Sequence, residues 1–159
     1  RHIANGIEIY EHGYCDQPYV VIAPDGTWVC VFTTSGKREG AKSQYIVCAR
    51  STDQGRTWTE PLPIEAPDGP EASWGMPLLT LFGRIYVFYS YNGDSIRKLP
   101  NGKKARADML GWYCCRYSDD NGKSWSDRYR LPLRETAADR GNDWGGDVQI
   151  FWGIGEPIK

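Results

Sequence analysis

Three carboxylates and an arginine stand where this sequence could do acid–base work: Asp16, Glu39 with Arg38 beside it, and Glu71. A pair of carboxylates flanking a sugar linkage supplies an acid and a base or nucleophile for its hydrolysis. Glu39 could serve as a general acid if burial raises its pKa, and Arg38 could hold an anionic group through its planar fork. Asp16 and Glu71, which precede neighbouring inner strands, are candidates for such a carboxylate pair. Gln17, Asn92 and Asp94 add hydrogen-bonding capacity nearby, and Trp74 in "PEASWGMP" offers a ring face suited to the C–H surface of a pyranose. The basic run Arg97, Lys98, Lys103, Lys104 and Arg106 lacks interleaved aromatics, which argues against nucleic acid and leaves an acidic glycan or a solvated loop. His2, His12 and the five cysteines lack metal-ligand spacing, so no metal or cofactor is expected. Cys30 and Cys48 fall inside strand-like runs, where a thiol acts as a small hydrophobe.

The elements that must position these groups are strands. The 159 residues are 40% hydrophobic with 18 Gly and 10 Pro, the composition of a turn-rich, all-β protein. A formal charge of −1 provides no overall field for nucleic acid or an anionic membrane. The apolar runs "YVVIA" and "WVCVF" are too short to span a bilayer, and nothing at the start resembles a signal peptide. A sequence that opens on Arg1 and stops at "GEPIK" is expected to be a fragment of a longer protein.

"PYVVIA" and "TWVCVFTT" flank the turn formers "PDG", and "PLLTLF" and "RIYVFYSY" flank Gly83, which predicts two hairpins. Each hairpin is followed by a polar connection, a third apolar run ("QYIVCAR", "GWYCCRY"), a polar box and a short last segment ("TEPLPI", "SDRYRLPL"). Ser51, Asp53, Gly55, Thr57 and Trp58 of the first box match Ser118, Asp120, Gly122, Ser124 and Trp125 of the second. Pro18 is matched to Pro77, with Pro157 opening a third unit. Units of roughly 60 to 80 residues with four short strands predict propeller blades. The boundaries expected are about 15–65 and 72–134, with a third blade starting about 144.

The boxes lack the late Glu and the alternating oxygen ligands of a calcium loop. Their residues suit a corner instead. The Asp and Ser oxygens accept backbone N–H bonds, Gly takes a positive φ, and Trp returns the chain to a strand with a large buried ring. Two such boxes in register resemble the Asp-box, or bacterial neuraminidase, repeats of the sialidase (neuraminidase) superfamily. The resemblance implies a β-propeller, six-bladed when complete, with the boxes on the face away from the active site, so Asp53 and Asp120 are expected to be structural.

The resemblance also implies an exo-α-sialidase-like glycosidase acting on a glycan or glycoconjugate, for which a secreted or extracytoplasmic setting is natural. Sialidases bind the substrate carboxylate with three arginines, the first of them in an Arg-Ile-Pro motif, and use an Asp as acid/base and a Tyr–Glu nucleophile pair. In this sequence Asp16, Gln17 and Pro18 stand in the place of that first motif, Arg38 is the candidate second arginine and Glu39 the candidate acid. The Tyr–Glu pair would fall beyond Lys159. A different glycosidase, a polysaccharide lyase and a non-catalytic glycan-binding propeller are the alternatives on the same architecture.

Overall fold

The computed structural model describes residues 3–150 and Gly155; His2 and Pro157, singled out above, lie outside them. Eight strands follow one another: β1 (Tyr14–Ile22), β2 (Trp28–Ser35), β3 (Tyr45–Ser51), β4 (Leu62–Pro63), β5 (Ala72–Leu79), β6 (Ile85–Tyr91), β7 (Trp112–Ser118) and β8 (Tyr129–Arg130). They form two antiparallel sheets in sequence order, β1-β2-β3-β4 and β5-β6-β7-β8. The described chain is thus nearly all β, two up-and-down blades of a partial propeller.

The hairpin turns are built alike. In the first, Ala23 N–H donates to Thr27 O and Gly26 N–H to Ala23 O; in the second, Thr80 and Gly83 do the same towards Arg84 and Thr80. The innermost strand of each blade also carries the same irregularity, a bulge between Asp16 and Tyr19 in β1 and between Ser73 and Met76 in β5. Gln17 and Trp74 sit in these bulges with φ of 48° and 58°.

The bulges correct the matching of Pro18 to Pro77. Register makes Gly75 the counterpart of Pro18, while Pro77 lies two residues further along and pairs with Val87. Both prolines are tolerated for a common reason: β1 and β5 are the first strands of their sheets, and a bulge or an edge position does not require the missing N–H. A two-residue slip keeps each side chain on the same face, so the alternation in the sequence could not reveal it. Gly75 is small because blade 1 comes close. A Cβ there would lie 2.9 Å from Val31 Cγ1 and 3.3 Å from Val87 Cγ1.

The core lies between the blades. Val29, Val31, Ile46, Cys48 and Ile64 of blade 1 pack with Ala72, Ile85, Val87, Tyr89, Tyr91 and Cys114 of blade 2. The opposite face of blade 1, Cys30, Phe32, Val47 and Ala49, is covered by Ile9, Tyr10, Tyr45 and Trp58. All five cysteines are free thiols and only Cys15 is exposed. Burial pushes the Cys30 thiol up to about 12 and that of Cys48 to about 11.

At the start expected for a third blade, a four-residue helix, α1 (Ala137–Arg140), is capped by Thr136 and followed by turns. Beyond them Ile150 makes an isolated bridge to Leu110.

Candidate functional site

Antiparallel order sends the two kinds of loop to opposite ends. The starts of β1 and β5, the ends of β2 and β6, and the connections 36–44 and 92–111 share one end. The hairpin turns and both boxes share the other.

At the box end the geometry is that of a corner. Asp53 Oδ1 accepts from Ser51 Oγ at 2.8 Å and from Thr57 N–H at 2.9 Å, and Ser51 Oγ accepts from Gly55 N–H at 2.8 Å. In the second box Ser118 donates to Asp120 at 2.7 Å, and Asp120 accepts from the N–H groups of Lys123 and Ser124. Hydrogen bonds from Thr57 and Ser51 hold the Asp53 carboxyl near 2, and in Asp120 burial, which would raise the value, is outweighed by bonds from Ser124, Ser118 and Lys123 that hold it near 2 as well. The second box also docks on blade 1, through Asn121 Nδ2 to Asp25 Oδ2 at 2.6 Å and the Cys48 thiol to Gly122 O. Every acceptor interaction described for these carboxylates is made within the corner itself.

At the other end, Gln44 joins the blades. It is fully buried, accepts Gly40 N–H at 2.8 Å, donates to Ser73 Oγ at 2.9 Å, and its backbone oxygen accepts Ala72 N–H. The 36–44 loop is thereby fixed to the start of β5. In the 92–111 connection, Lys98 and Lys104 form an isolated antiparallel bridge, with Leu99 N–H to Lys103 O and Ala105 N–H to Arg97 O closing a small hairpin. Between this hairpin and the 36–44 loop lies a cleft of about 570 Å³.

Lys37, Arg38, Lys42, Arg97, Lys98 and Lys104 line the cleft, over a floor of small residues such as Gly40 and Ala105. Glu71 is its one acidic lining residue. It is buried, paired with Arg97 at 2.8 Å and accepts from Asn92 Nδ2 at 3.1 Å. A shallower depression continues the cleft past Arg38, Glu39 and Arg106. There Arg106 spans the two loops: it pairs with Glu39 and holds buried Asp108 through two bonds of 2.8 and 3.0 Å. Asp108, and then Glu39, hold the Arg106 guanidinium firmly charged. Asp16 lines a different depression, with Tyr10, Cys15 and Phe32, and its carboxylate lies near the Tyr14 phenol. Burial and the Asp16 carboxylate keep that phenol protonated well above its usual range.

Arg38, Glu39 and Glu71 therefore come together at this end, whereas Asp16 lines a depression that Glu71 does not share. Trp74 is 2% exposed, with its N–H on Thr33 Oγ1 and its ring near Arg106, so it is a packing residue and not a sugar platform. Asn92 ties the loop by exchanging bonds with Ile96 N–H and O, and Asp94 accepts from Trp112 Nε1 at 2.8 Å; both serve the loop's shape. Gln17 is half-buried in its bulge, and its Oε1 has no hydrogen-bond partner among the described residues. Sequence reasoning missed Gln44, Asp108 and Lys42. The first two act through partners that no local pattern announces, while Lys42 stood in plain view in "SGKREGAKS".

No family model matches the chain, and no curated protein matches it in sequence. Solved structures do. A Hadza microbial sialidase is similar over 71% of this chain and 25% of its own, with a TM-score of 0.54 and 16% identity. The leech intramolecular trans-sialidase, solved with 2,7-anhydro-Neu5Ac, is similar over 79% of this chain and 37% of its own, with a TM-score of 0.54 and 17% identity. The NanB sialidase of Streptococcus pneumoniae is similar over 76% and 36%, at a TM-score of 0.52 and 10% identity. The chain thus spans between a quarter and about two-fifths of these structures' lengths. At such identities the likeness concerns the fold: this chain has the architecture of two blades of a sialidase-type β-propeller.

Proposed function

We propose that the chain is part of a sialidase-like glycoside hydrolase, with the substrate approaching the end opposite the boxes. The observation that carries this reading is the convergence there of Arg38, Glu39 and Glu71, with Gln44 fixing the 36–44 loop to the start of β5 and Arg106 tying that loop to the 92–111 connection. The fold likeness to sialidases supports the reaction class. In this reading Arg38 binds an anionic group of the sugar, and Glu39 is the acid, released from Arg106 when substrate displaces the guanidinium. Gln17, whose Oε1 is unpaired among the described residues, lines the approach, and Asp16 acts beside the Tyr14 phenol, which stays protonated.

The test is release of the fluorophore from an aryl α-sialoside by the intact protein, beside a panel of other aryl glycosides. Sialoside turnover that falls at least tenfold in Arg38→Ala and Glu39→Gln supports the reading. Cleavage of another glycoside alone moves the protein to a different glycan chemistry.

A non-catalytic glycan-binding propeller is the second reading, and one observation favours it. Two acids at this end are already engaged: Glu71 by Arg97 and Asn92, and Glu39 by Arg106. Glycan binding without cleavage of any glycoside in the panel would establish it.

A further inference from the structure

We propose that the cleft between the 36–44 and 92–111 loops binds a polyanionic glycan, a chain bearing sulfate or carboxylate groups on successive sugars. This rests on the glycan-facing reading of the same end and extends it from a single sugar ring to a stretch of chain.

The first support is charge. Six cationic side chains line about 570 Å³, and the one lining carboxylate, Glu71, is already neutralised by Arg97. Lys37, Arg38, Lys42, Lys98 and Lys104 make no ion pair among the described residues. With a net charge of −1 for the whole chain, this concentration is a local feature and not a reflection of a basic protein.

The second support is a local conflict. Lys98 and Lys104 are bridge partners across the loop's hairpin, and like charges directly opposite on paired strands repel. The hairpin nevertheless holds that register through Leu99, Lys103, Ala105 and Arg97, and Arg97 is anchored on buried Glu71. A built loop that keeps two lysines opposite each other in the lining of an open cleft is suited to an anion bound by both, which turns the repulsion into shared attraction.

The third support is what the cleft lacks. None of its lining residues is aromatic, so single-stranded nucleic acid finds no surface on which to stack its bases. Four of the six cations are lysines, point charges on flexible stems that suit sulfates and carboxylates at varied positions better than one fixed bidentate partner.

The experiment is equilibrium binding of fluorescent oligosaccharides to the intact protein at several salt concentrations. The probes are a heparin-derived octasaccharide, an oligogalacturonate, a neutral cello-oligosaccharide and a single-stranded oligonucleotide of matched charge. The expected result is salt-sensitive binding of one or both acidic glycans, at least tenfold tighter than the neutral one and tighter than the oligonucleotide. The first two probes separate sulfate from carboxylate as the preferred group.

Lys98→Glu then separates a binding role from a structural one. It should weaken acidic-glycan binding at least tenfold while leaving the ligand-free melting temperature unchanged or raised, because the introduced carboxylate would face Lys104 as an opposite charge. Equal affinity for neutral and acidic glycans, preference for the oligonucleotide, or unchanged glycan affinity in Lys98→Glu with Lys104→Glu would overturn the proposal. Glycoside turnover without acidic-glycan binding would remove the cleft and leave the hydrolase. Acidic-glycan binding without turnover of any glycoside would do the reverse.

Discussion

Glu65 shows what a single side chain does here. It is 3% exposed and accepts from the Tyr89 hydroxyl, from Arg116 Nε at 3.0 Å and from Arg128 at 2.8 and 2.7 Å, so one carboxylate from blade 1 ties three side chains of blade 2. Burial by itself would raise its pKa; the bonds from Arg128, Tyr89 and Arg116 outweigh that and hold it below the usual value. Removing one partner of a buried ion pair costs about 3–5 kcal/mol. Arg116 and Arg128 keep 22% and 26% exposure and can partly rehydrate, so the lower end applies. Glu65→Gln should therefore destabilise the protein by about 3 kcal/mol, measured by urea unfolding. Because the folded-state pKa is depressed, this contribution is complete above the ordinary value of 4.5 and drains away as pH falls through the folded value. The loss of stability on acidification below pH 4.5 should be shallower in Glu65→Gln than in the unaltered chain, and an equal slope would remove Glu65 from the account.

Among elements, the two boxes are alike in sequence but not in load. Gly122 has φ of 79°, and a Cβ there would stand 3.1 Å from Val29 Cγ1 of the neighbouring blade; at Gly55 of the first box it would meet Trp28 of its own blade at 3.2 Å, and at Gly26 of the first hairpin turn, with φ of 86°, it would meet nothing. Alanine at a positive φ costs about 1 kcal/mol or more by strain alone. Gly26→Ala should show that cost only, and Gly122→Ala should exceed it because the docked corner must also move, a difference readable in paired thermal melts. The corner itself was legible in the sequence because its partners are two to four residues apart, as Ser51, Asp53, Gly55 and Thr57 are. The blade-to-blade ties were not. Gln44 reaches Ser73, and Glu65 reaches Arg116 and Arg128, across separations that leave no periodic trace. Trp74 misled for a related reason: its composition suggested a ligand platform, but a bulge with a positive φ turned it into the blade interface. Within the candidate site, the sequence supplied the charges on the loops, while which of them are already paired became visible only once the two loops were brought together.

Over the whole molecule, the repeat says which surfaces are finished. Register makes Tyr86, Phe88 and Tyr113 of blade 2 the counterparts of Val29, Val31 and Ile46 of blade 1, the residues buried beneath blade 2. In blade 2 these positions form a half-buried ladder of stacked rings with ring centroids 6.0 and 6.1 Å apart. The hydroxyls tell the same story. Thr33 Oγ1 accepts the N–H of Trp74 at 2.8 Å, whereas Ser90, its counterpart, is 2% exposed with its Oγ unpartnered among the described residues. Both features suit a following blade packed on this face as blade 2 packs on blade 1. In the 159-residue chain, Thr33→Ala should cost about 1–3 kcal/mol by stranding a buried N–H, while Ser90→Ala should be close to neutral. Phe88→Ser with Tyr113→Ser should reduce self-association of that chain in light scattering, because the ladder is an open apolar face. In a longer chain that carries the next blade the order changes: Ser90→Ala should become as costly as Thr33→Ala, and the double serine variant should lower the melting temperature. A Ser90→Ala effect that is the same in both chains would mean that no neighbouring blade completes this face.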